Sequence, residues 1–503
     1  MLVISPWGNP RFWKKVKYVR DEVSEKDPKK VKEILENLKV EAYSYTPLSL
    51  FESWRKLVVV PASIADGKGN VNDLALDKMR EIVKSKDEEF LKIFEEADKV
   101  VVPSTGVYKS NEVLKEFDVP FSNVYSGIIL KLYEKLREAN EETILLDITH
   151  GVNYYPVTIR EALDNYILKL ISIDMRKKIK YAIGASDPIV GSGEELRDVE
   201  LRYHVFQVKE IEPNLQELSE FVKDLNNIDK GKCEAYLQNR GTLSELANEM
   251  VKLEVPSPLY WAYVMDKVIR NKEKFEEAVG DLLMVASNAL EHYEVEGERV
   301  RQDVVFDEKG IINLIAMRTF LDIVKERGEI EGNLYLVNRE SLEELEGYLR
   351  GVDEKLWNEE NSKLTESLKE LKKINLDNLR ERIAEIAKGY PSGCESIEED
   401  LRRKLNKVEA EKVREGLEEL LKLTQKAIPY SLLKHAKKEL QDSVLWWAYH
   451  YAKEAEEADA RNFIAHAGME MNATVITLDG ERIGYYIPML EKIEEPLLKA
   501  LKH

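Results

Sequence analysis

Residues 143–160 read TILLDITHGVNYYPVTIR, and this stretch carries the reading of the fold. Thr143–Asp147 is a short apolar run of the kind that forms a buried strand. Thr149-His150-Gly151-Val152-Asn153 has the small and polar residues of a tight loop. Pro156 suits a first helical turn, where its missing N–H is not needed. From Val157 to Ser172 the pattern is helical. A strand, a tight loop and a helix in that order make half of a β–α–β unit.

Working outward, the same alternation runs through the first 210 residues. Leu2–Ser5, Lys56–Val60, Lys99–Val102 and Ile179–Ile183 read as strands, with helical patterns such as 74–97 and 124–139 between several of them. Val199–Val208 alternates like an edge or antiparallel strand. The prediction is a Rossmann-like α/β domain with a mostly parallel sheet covered on both faces. Ligands of such sheets bind beyond the carboxyl ends of the strands. Three loops fall there, and they supply the candidate binding residues: Trp7, Gly8 and Asn9 from the first, Ser104, Thr105 and Gly106 from the second, Thr149, His150, Gly151 and Asn153 from the third. Small residues let backbone N–H groups approach phosphates, and the third loop opens a helix whose N-terminus favours anions. Two readings stand for Trp7, a core aromatic or a platform for a base. Two stand for His150, a turn-capping residue or a ligand contact. No G-x-G-x-x-G follows the first strand, so an ordinary dinucleotide cofactor is unsupported.

Residues from about 211 onward read almost wholly helical. Ser362–Lys388 and Ser396–Thr424, dense in Glu, Lys, Arg and Leu, read as solvated amphipathic helices or a coiled-coil hairpin, within a helical insertion at about 350–430. Gly241–Leu253 carries no following basic face that would read DNA. Near the end, Ala473–Leu478 and Arg482–Ile487 flank Asp479-Gly480, a two-residue hairpin signal.

Between them lies Arg461-Asn462-Phe463-Ile464-Ala465-His466, in a run, Glu454–Gly468, that reads as helical with Gly468 as its stop. Cleaving RNA without a metal requires that the ribose 2′-OH lose a proton and that charge on the phosphoryl oxygens be stabilised. An imidazole exchanges protons near neutrality. A guanidinium fork holds a phosphate through two hydrogen bonds. Asn462 adds a hydrogen-bonding group. The nearby acids Glu454, Glu456, Glu457 and Asp459 read as a solvated helix start, not as metal ligands. Positions five apart lie about 140° apart on an ideal helix. Convergence of Arg461 and His466 therefore needs a helix end, the reach of the arginine, or a second copy of the motif. The spacing alone does not decide, since Arg197 and His204 form a similar pair in a strand-like stretch. The bland alternative is a surface arginine and a histidine buried at a helix end.

RNFIAHAG resembles the R-x4–6-H motif of HEPN ribonucleases. Ser5-Pro6-Trp7-Gly8-Asn9-Pro10, Ser44-Tyr45-Thr46-Pro47-Leu48 and Asp147-Ile148-Thr149-His150-Gly151-Val152-Asn153 resemble the CARF sensor domain. Their order in one chain is similar to that of the CRISPR-associated CARF–HEPN ribonucleases of type III systems. The resemblance implies a sensor at 1–210 that binds a cyclic oligoadenylate, with tetra-adenylate the expected ring, across a twofold axis. It further implies an all-α HEPN effector at 211–503, closed by the small C-terminal hairpin. By the same resemblance the chain would be an allosterically activated endoribonuclease acting on single-stranded RNA in antiviral defence, as a homodimer or higher even oligomer. His466 would be the acid/base or phosphate donor, Arg461 the charge stabiliser and Asn462 the orienting group, with no cofactor and no metal. Two other readings differ in kind. One is a regulatory protein that binds nucleic acid or a partner without cutting; the other is a ring nuclease acting in the sensor loops.

Composition bounds these expectations. The chain has 503 residues, 44 % hydrophobic and 34 % charged, and the charged share exceeds the usual quarter. Glutamine and cysteine are scarce as well, a pattern typical of proteins from hot environments, with a generally charged helical protein as the alternative reading. A net charge of −19 argues against nonspecific duplex DNA binding, which needs a basic face, and no specific DNA is expected. Cys233 and Cys394 are too far apart in sequence to suggest a metal knuckle or redox pair, and they fit reduced thiols. No apolar run approaches a membrane span, and MLVISPWGNP has no basic-then-apolar secretory pattern, so no membrane association and a cytoplasmic location are expected.

Overall fold

A computed structural model describes the chain apart from residues 22–27, 67–68, 111–112, 151–153, 189–198, 224–233, 303–306, 393–397, 436–439 and 503. Both cysteines fall outside the described residues. The chain divides into two compact units: Met1–Pro213 with Asp224–Leu243 and Glu276–Asp322, and Asn214–Lys223 with Ser244–Phe275 and Ile323–His503.

In the N-terminal unit the strands are β1 (Leu2–Pro6), β2 (Val16–Arg20), β3 (Glu41–Ser44), β4 (Arg55–Pro61), β5 (Asp98–Val102), β6 (Gly106–Ser110), β7 (Val113–Asp118), β8 (Thr143–Asp147), β9 (Ile179–Ser186), β10 (Glu200–Ile211), β11 (Glu294–Glu296) and β12 (Arg299–Arg301). Eight of them form one sheet in the order β3-β2-β10-β9-β8-β1-β4-β5. It is parallel except where β10 meets β9 and β2 meets β3. The apolar runs are continuous because both faces are covered. Val3, Val58, Val60, Val101, Leu145 and Ala182 share a core with Ile34, Met79, Val83, Phe90 and Phe94 of the flanking helices. The alternate residues Ile4, Leu57, Val59, Ile144, Leu146 and Ile183 are just as buried on the other face.

The α/β reading therefore holds, and each sequence-predicted strand is present. The helical stretch 74–97 is two helices, Val71–Lys84 and Glu88–Glu96, because Asp87 stops the run and caps the second. Strands β2 and β3 carry too few buried residues to stand out by hydropathy. The second sheet, β11-β12-β7-β6, was not anticipated. It pairs two short hairpins far apart in sequence, with β12 parallel to β7.

The second unit is mainly helical and contains a five-stranded sheet, of β13 (Gly328–Glu331), β14 (Leu334–Asn338), β15 (Ala427–Pro429), β16 (Thr474–Thr477) and β17 (Arg482–Tyr486) in the order β13-β14-β17-β16-β15. The expected hairpin around Asp479-Gly480 is β16–β17 at its middle. The region is thus less wholly helical than its composition suggests. β13–β14 turns at Gly332, with φ +66°, so the Gly332-Asn333 dipeptide was an available hairpin signal. The helices at 351–423 are only partly solvated: Trp357, Leu364, Leu379, Ile383, Leu417 and Leu420 are buried. Among the described residues no helix is long and apolar enough to cross a membrane.

His204, half of the Arg197–His204 pair, has a structural explanation. Its Nδ1 lies 2.7 Å from Asp21 Oδ2 and its Nε2 2.8 Å from Asp187 Oδ1, tying together the ends of β2, β9 and β10. Burial opposes its charge, but Asp187 and Asp21 outweigh that and raise its pKa above 6.5. The folded value is the higher one, so this stabilisation is complete below 6.5 and is lost as pH rises through the raised value. Thermal unfolding of wild type should lose stability over that window, and His204→Gln should flatten the slope. Parallel pH profiles for the two proteins would contradict this.

Candidate functional site

The three strand-end loops converge through named contacts. Ser5 at the end of β1 and Asp147 at the end of the neighbouring β8 are both buried. Ser5 Oγ donates to Asp147 Oδ2 at 2.8 Å, and the Trp7 indole N–H donates to Ser5 Oγ at 3.2 Å. Thr149 donates to Asp147 Oδ1 from its backbone N at 3.1 Å and its hydroxyl at 2.6 Å. The Tyr203 hydroxyl completes the set at 3.3 Å. Burial raises the Asp147 pKa, and these four donors oppose that by stabilising the carboxylate. From the second loop, Ser104 Oγ accepts the Ser63 N–H at 2.9 Å and lies 2.7 Å from the Tyr155 hydroxyl. The Thr105 N–H points to Tyr154 Oη at 3.5 Å, and its carbonyl accepts from Tyr108 at 2.8 Å. Gly106 has φ +110°, a conformation glycine adopts readily.

The candidate residues separate accordingly. Trp7 is 1 % exposed and packs with Trp13, Phe90 and Phe94, so the core reading describes its position. Gly8 is buried, and Asn9 is exposed and caps the short helix Pro10–Phe12. His150 stacks on Trp13 at 3.9 Å, with its Nε2 3.4 Å from the Tyr18 hydroxyl. Burial pushes its imidazole down to about 3, so it is neutral at pH 7. Gly151 and Asn153 lie outside the described residues. Sequence reading missed Tyr108 and Tyr154, whose hydroxyls sit 3.2 Å apart beside Thr105. Tyr154 directly follows the third loop, which was the available signal.

In the second unit the motif helix is Glu457–Ala465. It is shorter than the run 454–468. Glu456, itself extended, caps it through a capping box with Asp459, and residues 454–456 are not helical. Asp459 is therefore not a solvated start residue: it also accepts from Lys453 Nζ at 2.8 Å, and these partners hold its carboxyl below the usual range despite burial. Ala460 and Phe463 face inward, with Phe463 edge-on to Tyr260 at 4.9 Å. Arg461, Asn462 and His466 are consequently all exposed. His466 is the C-cap, its N–H bonded to the Asn462 carbonyl at 3.0 Å. The histidine buried at a helix end does not describe it, since its side chain is 46 % exposed. The Arg461 guanidinium pairs with Glu457 one turn back on the surface. Exposed pairs of this kind are worth about 0–1 kcal/mol, so the arginine can leave it readily.

The turn after His466 is a Schellman motif: the Gly468 N–H bonds Phe463 O at 2.8 Å and the Ala467 N–H bonds Ile464 O at 3.0 Å. Gly468 has φ +71°, and a β-carbon there would lie 2.6 Å from Ser257 Oγ. Gly468→Ala should cost roughly 2 kcal/mol from left-handed strain and overlap. Denaturant unfolding checks this, and an unchanged midpoint would contradict it. The preceding aromatic helix, Leu440–Ala452, buries Trp447, Val444 and Leu445 within its own unit. Among the described residues no group of three or more His, Cys, Asp or Glu is placed to hold a metal ion.

A parallel α/β sheet with polar loops gathered at its strand ends, followed by a helical unit presenting arginine, asparagine and histidine at a helix end, is the two-domain arrangement that the sequence resemblance implies. The comparisons agree. Residues 2–188 match the family model described as the CARF domain of CRISPR system endoribonuclease Csx1, and residues 395–487 match that of its HEPN domain. The CRISPR system endoribonuclease Csx1 of Methanocaldococcus jannaschii is 26 % identical over 205 residues, covering 39 % of this chain and 39 % of that protein. The chain belongs to the CARF–HEPN family of CRISPR-associated ribonucleases.

Proposed function

We propose that this chain is an endoribonuclease that cuts single-stranded RNA without a metal when a cyclic oligoadenylate occupies the loops of the N-terminal unit. The observation that carries the reading is the motif helix, which buries Ala460 and Phe463 and leaves Arg461, Asn462 and His466 facing solvent. In-line attack by the 2′-OH on the adjacent phosphorus transfers that proton to a base and expels the 5′-oxygen, which takes a proton in turn. His466 exchanges protons, Arg461 neutralises charge on the phosphoryl oxygens, and Asn462 orients them. The products are a 2′,3′-cyclic phosphate and a 5′-hydroxyl. The test is RNA degradation in EDTA with and without cyclic oligoadenylates of different ring size. Activity that vanishes with EDTA and returns with Mg²⁺ or Mn²⁺ would overturn the metal-free chemistry. Failure of every ring size to bind would remove the sensor role.

The active unit in this reading is a homodimer. One motif offers one guanidinium and one imidazole, whereas two motifs across a twofold axis surround a phosphate from more than one side. Mixing His466→Ala subunits with wild type should depress activity more steeply than the wild-type fraction falls. A strictly proportional fall would mean that each subunit works alone.

A further inference from the structure

We propose that Glu360 is the positioning residue of His466. This inference rests on the ribonuclease reading above and adds a group from outside the motif and outside the matched HEPN segment. Glu360 lies on the helix Gly351–Leu371, 106 residues before the histidine, and is 5 % exposed. Glutamate is almost never this buried unless it is paired. Its Oε1 has two partners: Lys363 Nζ at 2.8 Å and His466 Nδ1 at 3.4 Å.

The direction of this contact matters. With Nδ1 turned toward a buried carboxylate, Nε2 is the ring nitrogen left for a substrate, on a side chain that is 46 % exposed. A carboxylate that accepts from Nδ1–H keeps the proton on that nitrogen and the lone pair on Nε2, the tautomer a general base needs. When Nε2 takes up a proton, the same carboxylate stabilises the imidazolium. A contact of 3.4 Å is long for a hydrogen bond, and catalytic contacts commonly tighten when substrate binds. The backbone contributes too, since the His466 N–H and C=O are bonded to Asn462 O and Met469 N. Glu360 thus has only the ring's rotation left to settle.

Other charged groups surround the pair. On the same helix Lys363 also bonds Glu359, at 2.8 Å, and Glu366 lies one turn on. Tyr430, on the helix Tyr430–His435, is electrostatically coupled to Glu360, Lys363 and Glu366. Glu457, Asp459 and Arg461 are on the motif helix itself. A purely structural account would make Glu360 the partner of Lys363, with the histidine incidental. The two accounts differ in what Lys363 does.

The experiment compares Glu360→Gln, Lys363→Met and His466→Ala in the full chain, with activator and single-stranded RNA, beside ¹⁵N-histidine spectra in alkaline buffer. Glu360→Gln should lower kcat roughly tenfold or more with KM within about twofold. It should also move the His466 proton from Nδ1 to Nε2. Lys363→Met should keep both kcat and the Nδ1–H tautomer. Wild-type kcat in Glu360→Gln, an unmoved tautomer, or a Lys363→Met protein that matches Glu360→Gln would each overturn the proposal. Should Glu360→Gln melt early, Glu360→Asp carries the test, because a retained carboxylate should preserve the Nδ1–H signal. If His466→Ala cleaves like wild type, the ribonuclease role of the motif falls, and the tautomer measurement still decides whether Glu360 orients the ring.

Discussion

His466→Ala and Arg461→Ala should each reduce RNA cleavage by roughly a hundredfold or more, the usual loss when an acid/base or a charge-stabilising group is removed. The motif helix is held by Ala460 and Phe463, while the changed side chains are 46 % exposed for His466 and 73 % for Arg461. Substitutions at such positions usually change stability by less than about 0.5 kcal/mol. Lost activity in a protein with an unchanged melting point is therefore lost chemistry. Arg461→Lys should not restore it, because an ammonium is a point charge and cannot form the two-pronged contact of a guanidinium. Initial rates on a fluorescent RNA, with activator saturating, make the measurement. Near-normal turnover in either folded variant would end the assignment.

Asp147→Ala should act on the other unit, removing activation rather than chemistry. Four donors from Ser5, Thr149 and Tyr203 meet the Asp147 carboxylate, which is fully buried. Without it the Ser5 and Tyr203 hydroxyls are left in apolar surroundings. Unsatisfied buried groups cost about 1–3 kcal/mol each, so a loss of roughly 3 kcal/mol is expected. Thr149 would lose the anchor that sets the third loop, and Ser5, which accepts the Trp7 indole N–H, would lose the carboxylate that holds it in place. Calorimetry with cyclic tetra-adenylate should show binding weakened by tenfold or more, while thermal unfolding reports the stability loss. Wild-type affinity in this variant would dissociate the carboxylate from the ligand loops. Thr149→Ser, which keeps a hydroxyl for Asp147, should stay close to wild type in both measurements.

Much of the architecture was legible in the chain itself. Strands β1, β4, β5, β8 and β9 were visible because a strand buried on both faces must be apolar throughout, and short apolar runs between turn signals are rare elsewhere. The motif residues at 461, 462 and 466 could be named from the sequence, with Gly468 as the helix stop, but whether His466 is buried or exposed at that helix end was settled only by the structure. The Asp479-Gly480 hairpin was visible because its signal is carried by adjacent residues.

What escaped was everything set by residues distant in the chain. β12 joins β7 across more than 170 residues, and its few residues have no pattern of their own. Trp7 and His150 were ambiguous from sequence, since an aromatic residue in a loop can face a ligand or the core. The structure packs Trp7 against Trp13, Phe90 and Phe94 and stacks His150 on Trp13, contacts made by residues from other parts of the chain that bury aromatic surface together. Glu360 is the sharpest case. Nothing in its surroundings, Asn358-Glu359-Glu360-Asn361, separates it from the exposed Asn358 and Glu359 beside it. Helix amphipathicity marks which face is buried but not what that face will meet. Local order therefore came from the sequence, through periodicity and turn chemistry. The pairing of Glu360 with His466 came only from the tertiary fold, because it depends on where a separate helix is packed.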